Sequence, residues 1–298
     1  MHLTKLCEAR PERGEGWGTQ PLTDLSWLID ADLGDSEHGA VARMTIEAGG
    51  AQEPHRHPGS EEVTLVLEGS GSALIDGVWV PIGEGNLLHA PPRASHALSA
   101  GPEGLDLLVV LSAPSAAAAG WEHADTPSSP TTIAGEVGEE GVSQGAPPAA
   151  QTASSPGSPP GVARVLSGRE TDEIELDDPA TGFIGMNARW LATDEICGTG
   201  SVVVGASRFA QEGGAHELHR HAEAAEFFIV LSGQGAQLDE DGAEVPVEVG
   251  EAALLPRGSW HGFRSTGPEE VRAVFGFLGA TSLDRAGYEL AALARFAS

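Results

Sequence analysis

Two histidines one residue apart, His219 and His221, are followed by Glu226 and then by Gly233. Alternate side chains of a strand share a face, so the two imidazoles point the same way and can close on one ion. Glu226 arrives from the next strand. Gly250 and Pro256 mark a turn that returns His261 to the same neighbourhood. Three imidazoles and a carboxylate suit a divalent transition ion such as iron, manganese, nickel, copper or zinc.

The arrangement occurs twice. His55, His57, Glu62 and Gly69 copy the first four positions without an insertion, and Gly77, Gly85, Pro91 and His96 match Gly242, Gly250, Pro256 and His261. Trp27-Leu28 and Trp190-Leu191 open the two copies. A repeat over this length means that one domain is written twice. A single His-x-His is compatible with ordinary polar surface; two, with matched Glu, Gly, Pro and His, are not.

His-x-His-x4-Glu-x6-Gly, followed further on by Pro and His, resembles the two conserved motifs of the cupin superfamily, and the duplication resembles a bicupin. The resemblance implies an all-β chain of two tandem jelly-roll barrels, each holding a metal near its middle. Carried over residue by residue, it implies His55, His57, Glu62 and His96 as ligands in the first barrel and His219, His221, Glu226 and His261 in the second. Each set takes up to one divalent ion, with Fe2+ preferred over Mn2+, Ni2+, Cu2+ or Zn2+. The second motif often ends in Asn; Ala100 and Ser265 stand there, which puts the pocket lining in doubt rather than the metal. Gentisate-type ring-cleaving bicupins typically lack the motif Glu, and oxalate decarboxylases carry an aromatic, charged motif and a lid not found here. Quercetinase-like dioxygenases share the three-His, one-Glu set and an apolar pocket and are the nearest functional match.

The 298 residues suffice for two domains of ordinary size. Forty Gly and twenty Pro favour turns and short strands over long helices. The net charge of -28 is spread over both copies and disfavours nucleic acid and anionic lipid as partners. Met1 to Lys5 lack the apolar run of a signal peptide, and nothing approaches the ~20 apolar residues of a membrane span, so a cytoplasmic protein with no membrane partner is expected. Cys7 and Cys197 occupy non-equivalent places and read as incidental reduced thiols.

Residues 1–21 read as an irregular arm, 22–111 as the first barrel and 162–298 as the second. Residues 112–161, rich in Ala, Pro, Ser and Gly, cannot bury enough surface to offset their conformational entropy and read as a flexible linker. Only Trp121-Glu122-His123 breaks its pattern, as a short anchoring contact. The Ala/Leu-rich stretch from Ser282 to Phe296 predicts a short C-terminal helix with Leu290, Leu293 and Phe296 on its apolar edge. If Glu62 faces inward, so do Thr64 and Val66, while Val63, Leu65 and Leu67 face out. Both faces must then be covered, by the other sheet, the other barrel or a second subunit, and a homodimer is expected.

His216 lies on the opposite strand parity to His219 and reads as a solvent or outer-sphere residue, as does His89; His38, His2 and His123 have no supporting pattern. Phe228, Val230 and Phe263 should line the second pocket, favouring a planar or aromatic small-molecule substrate. The leading expectation is therefore a metal-dependent dioxygenase acting at the second site. In it Glu226, and Glu62 in the first copy, serve as ligand and proton acceptor. A non-redox isomerase, decarboxylase or hydrolase is the first alternative, and a cupin that binds a small molecule or metal without turnover is the second.

Overall fold

The computed structural model describes residues 2–4, 9–12, 17, 21–75, 77–124 and 163–291. Cys7, most of the expected linker, and Leu293 and Phe296 lie outside the described residues. The chain folds as two β-domains. The first is built on a 10-stranded sheet, and the second on 7-stranded and 6-stranded sheets. In the first domain the strands Glu62–Ile75 and His96–Leu111 pair along almost their whole length, with register shifts at Val66/Glu68 and Gly69/Gly71 where they bend from one face of the barrel to the other. In the second domain the corresponding strands are interrupted, as Ala225–Ser232 then Gly235–Leu238, and His261–Ser265 then Val271–Leu278.

The motif glycines sit at these bends. Gly69 has φ 87 and Gly233 φ 83; a Cβ on Gly69 would lie 2.1 Å from the Gly104 carbonyl oxygen, and one on Gly233 2.7 Å from that of Glu270. No L side chain fits either place without moving backbone.

The expected alternation holds. Val66 packs in the interior of the first barrel, while Val63 and Leu65 are buried in a cluster shared with Val204, Phe227, Ile229 and Leu254 of the second. Phe228 and Val230 turn into the second barrel. The outward apolar faces therefore cover each other within one chain. Arg164–Ser167, at the head of the second copy, adds to the first domain's sheet beside Asn86–Ala90. His2–Thr4 reaches across to pair with Ala252–Leu255 of the second domain. Among the described residues no helix is long and apolar enough to cross a membrane.

Two expectations are corrected. The linker does not begin at residue 112, because Ser115 caps a helix, Ala116–Ala119, that ends at Gly120, and Glu122–His123 pairs with His55–Arg56. The same device recurs at the end of the chain, where Ser282 caps the helix Leu283–Ala286, Gly287 ends it with φ 74, and Tyr288–Leu290 pairs with His219–His221. The duplication thus extends past both barrels, with Arg56–Glu122 repeated as Arg220–Glu289. The helix described in this stretch, Leu283–Ala286, ends before Leu290, which is buried on a strand and not on a helix edge; Ala291 is again helical, and the residues after it lie outside the described ones. Composition misleads in both places because the Gly that stops each helix redirects the chain into the ligand strand.

Candidate metal centres

Register brings the ligands together. His55 lies directly opposite His96, and His219 opposite His261, in their antiparallel pairs. Glu62 opens the strand that follows the first His-x-His turn, and Glu226 is the second residue of the one that follows the other. All eight residues are buried, and in each set one donor atom from every residue lies within 4.8 Å of the others. The structure thus gathers each expected set of four.

The rings are oriented from behind. A carbonyl can only accept, so each Nδ1 bonded to one is a donor: His55 to Glu53 O (2.8 Å), His57 to Gly120 O (2.7 Å), His96 to Ala94 O (3.0 Å), His219 to Glu217 O (2.8 Å) and His261 to Ser259 O (2.9 Å). A neutral ring that donates through Nδ1 presents a lone pair at Nε2. Burial and the neighbouring His261 bring His219 down to about 4, and burial with His96 and His57 holds His55 well below the usual imidazole value. Burial alone would raise Glu226, but the His219, His221 and His261 rings outweigh it and keep the carboxylate ionised. Nε2 of His96 and of His219 are buried with no hydrogen-bond partner among the described residues. Converging lone pairs around an ionised carboxylate are satisfied by a divalent cation, and imidazole with carboxylate suits a transition ion, so the residues fit one in each domain.

The surroundings of the two centres differ. In the first, Trp121 stacks on His55 (centroids 3.6 Å apart, 9° between planes) and Trp17 stacks on His57 (4.5 Å, 11°), the two indoles lying 5.4 Å apart. Trp121 was expected only as an anchor; it is part of the centre. In the second domain Tyr288 holds the equivalent place, but its ring is tilted 35° and centred 5.4 Å from His219. The face of His219 is instead taken by His216, stacked at 3.6 Å and 16°. A register shift between His216 and His219 reverses the expected parity and turns His216 inward. His216 Nε2 lies 3.3 Å from the Tyr288 hydroxyl, which donates to Thr181 O at 3.1 Å. Burial and Glu226 push the phenol up to about 12.

The second centre opens into a cavity of about 190 Å³ walled by Phe228, Phe263, Phe275, Phe277, Trp190 and Tyr288. Phe228 and Phe263 were expected there; Val230 is buried in the domain core and is not part of the wall. His89 points away from the first centre. It bonds to Glu61 at 3.2 Å, and Glu61 in turn accepts from the backbone N–H groups of Gly200 and Ser201 in the other domain.

The Cupin domain family matches residues 42–111 and 208–277. Among solved structures, the chain superposes on oxalate decarboxylase of Lactobacillus farciminis in complex with formate with TM-score 0.71 at 15% identity, covering 100% of this chain and 90% of that one. On oxalate decarboxylase of Bacillus subtilis the values are 0.67 and 16%, covering 94% and 76%. At that identity the likeness establishes the fold; the motif comparison had set these enzymes aside. The dimethylsulfoniopropionate lyase DddW of Ruegeria pomeroyi is 52% identical over 52 residues, which is 17% of this chain and 34% of the lyase. The chain therefore matches about a third of that relative's length. With the domain present twice, each copy carrying its four-residue centre, the chain belongs to the cupin superfamily as a bicupin.

Proposed function

We propose that the chain is a metal-dependent enzyme working at the second centre by non-redox chemistry, as a lyase or decarboxylase of a small, mainly apolar organic acid. The observation that carries this reading is the Tyr288–His216 pair, a phenol and an imidazole in the cavity beside His219. They give the site a proton donor and acceptor of its own, next to the ligands. An ion held by His219, His221, Glu226 and His261 would act as a Lewis acid on a substrate oxygen as a bond to carbon breaks. Tyr288, held by Thr181 and His216, stays protonated and would deliver its proton to the product carbon. Burial and His219 hold His216 well below the usual imidazole value, so its ring is neutral and relays a replacement proton from solvent to the phenolate. The aromatic wall keeps water from intercepting the reaction.

The chemistry for which the similar proteins are named, decarboxylation and lyase cleavage, supports the reading. Oxalate itself fits poorly: among the described residues no Lys or Arg lines the cavity, and a dianion would leave the aromatic wall unused. The apolar wall favours one second reading, a dioxygenase of an aromatic or enolic substrate. The deciding experiment assays metal-loaded protein with dimethylsulfoniopropionate, phenylpyruvate and oxalate, with and without oxygen. Turnover unchanged under anaerobic conditions is expected, and stoichiometric oxygen uptake would establish the dioxygenase instead.

A further inference from the structure

Two polar side chains interrupt the aromatic wall of the second cavity. Gln237 is 1% exposed, and neither its amide nitrogen nor its oxygen finds a hydrogen-bond partner among the described residues. Ser207 is 2% exposed and its hydroxyl is equally unpartnered. Buried amides and hydroxyls are almost always bonded, and an unpaired one destabilises the fold that holds it.

The first domain supplies the internal control. Gln237 pairs with Phe263, two residues beyond His261; the same register in the first domain puts Ala73 opposite Leu98, two residues beyond His96. Ser207 pairs with Ala273, four residues before Phe277, the partner of Glu226. Its counterpart is Met44, opposite Leu107, four residues before Leu111, the partner of Glu62. Ala73 and Met44 are apolar core residues. The polar pair occurs in the domain whose centre fronts the aromatic cavity, and its counterparts are apolar where the indoles cover the ligands.

We infer that Gln237, with Ser207 beyond it, recognises a neutral donor–acceptor group, such as a carboxamide or a hydroxyl beside a carbonyl, at the far end of the substrate. The inference rests on the proposed function for the other end, an acid oxygen at the metal position. Two residues along a strand place Gln237 roughly 7 Å from the His261 level, and four place Ser207 roughly 13 Å from that of Glu226. An apolar cavity of about 150 Å³ accommodates benzene, so the 190 Å³ here takes a substrate with one ring or a short chain between its two ends. Among the described residues the wall offers no Lys or Arg to pair with an anionic tail, so the tail is not an anion.

The test uses metal-loaded full-length protein, with 4-carbamoylbenzoate and its apolar isostere 4-isopropylbenzoate as calorimetric probes, on wild type, Gln237→Met and Ser207→Ala. Wild type binds the carbamoyl compound about tenfold more tightly, the worth of one net buried hydrogen bond of about 1.4 kcal/mol. Gln237→Met loses that preference, keeps its affinity for the isopropyl compound, and melts about 2–4 °C higher because an unpaired amide is gone. Ser207→Ala melts at or above the wild-type temperature. Absence of a preference in wild type, an unchanged preference in Gln237→Met, a lower melting temperature for Gln237→Met, or failure of either probe to bind at millimolar concentration overturns the inference. Chelation separates it from the proposed function. Affinity lost on demetallation upholds the metal-bound acid end whatever the tail does, whereas a preference that survives with affinity unchanged upholds the tail and removes the acid end.

Discussion

The two centres share ligand types, register and the carbonyls behind all their rings but His221, whose Nδ1 has no hydrogen-bond partner among the described residues, yet one lies under two indoles and the other faces a cavity. Trp121 and Tyr288 stand at equivalent places after equivalent helices, so the difference comes from a few side chains on a common backbone. In the first domain the indole stacked on His55 covers the ligands; in the second, the tilted phenol and the smaller His216 ring stacked on His219 leave the centre in contact with the aromatic cavity. On the proposed reading, duplication lets the first centre serve stability while the second carries chemistry, since function resides in what surrounds the ligands.

The comparison is broken most severely by removing ligands. His261→Ala is expected to lower turnover by roughly 10³-fold or more, the several kcal/mol a Lewis acid contributes. His96→Ala should leave turnover within a few-fold while lowering the melting temperature. Elemental analysis should show one equivalent lost in each. Next in size, Tyr288→Phe removes a hydroxyl and little volume, and should cost about 10²-fold in kcat with metal content intact. Equal kcat in the two proteins would remove the phenol from the chemistry.

Trp121→Ala sharpens the contrast from the other side. Deleting a packed indole destabilises by about 3 kcal/mol, and chelator should then strip the first centre faster. Trp121→Tyr, which imitates the second domain, should speed stripping with a smaller loss of stability. Unchanged exchange in both would show that the indoles do not guard the ion.

The smallest effect concerns the seam between domains. Burial would lower His89, but Cys197 and Glu61 outweigh it and push the imidazole up to about 9. A folded-state value above the unfolded one adds stability that is fully present below about 6.5 and fades as pH rises through about 9. Melting temperatures between those limits should fall more steeply for wild type than for His89→Gln; parallel profiles would deny the pair any role in holding the domains together.

Much of this was legible in the sequence. The duplicated motif located both ligand sets, and alternation on the Glu62 strand turned Val63 and Leu65 outward, because both follow from the two-residue period of a strand. Which of the other sheet, the other barrel or a second subunit covers them came only from the packing. Local geometry hid the rest. Parity failed at His216 because a bulge adds a residue that no pattern marks. Composition placed Trp121 in a linker, although the matching Arg56–Glu122 and Arg220–Glu289 pairs and the Ser-to-Gly helices of both copies were available as signals. Gln237 and Ser207 emerge only once strand register aligns them with Ala73 and Met44, and register is a long-range property.

The most direct test of unequal centres uses cobalt(II)-loaded His96→Ala and His261→Ala, each retaining one complete site, titrated with azide while the visible spectrum is recorded. Saturable spectral change is predicted in His96→Ala, whose remaining ion faces the cavity, and none in His261→Ala, whose remaining ion lies beneath Trp17 and Trp121. Equal responses, or a response confined to His261→Ala, would contradict the account.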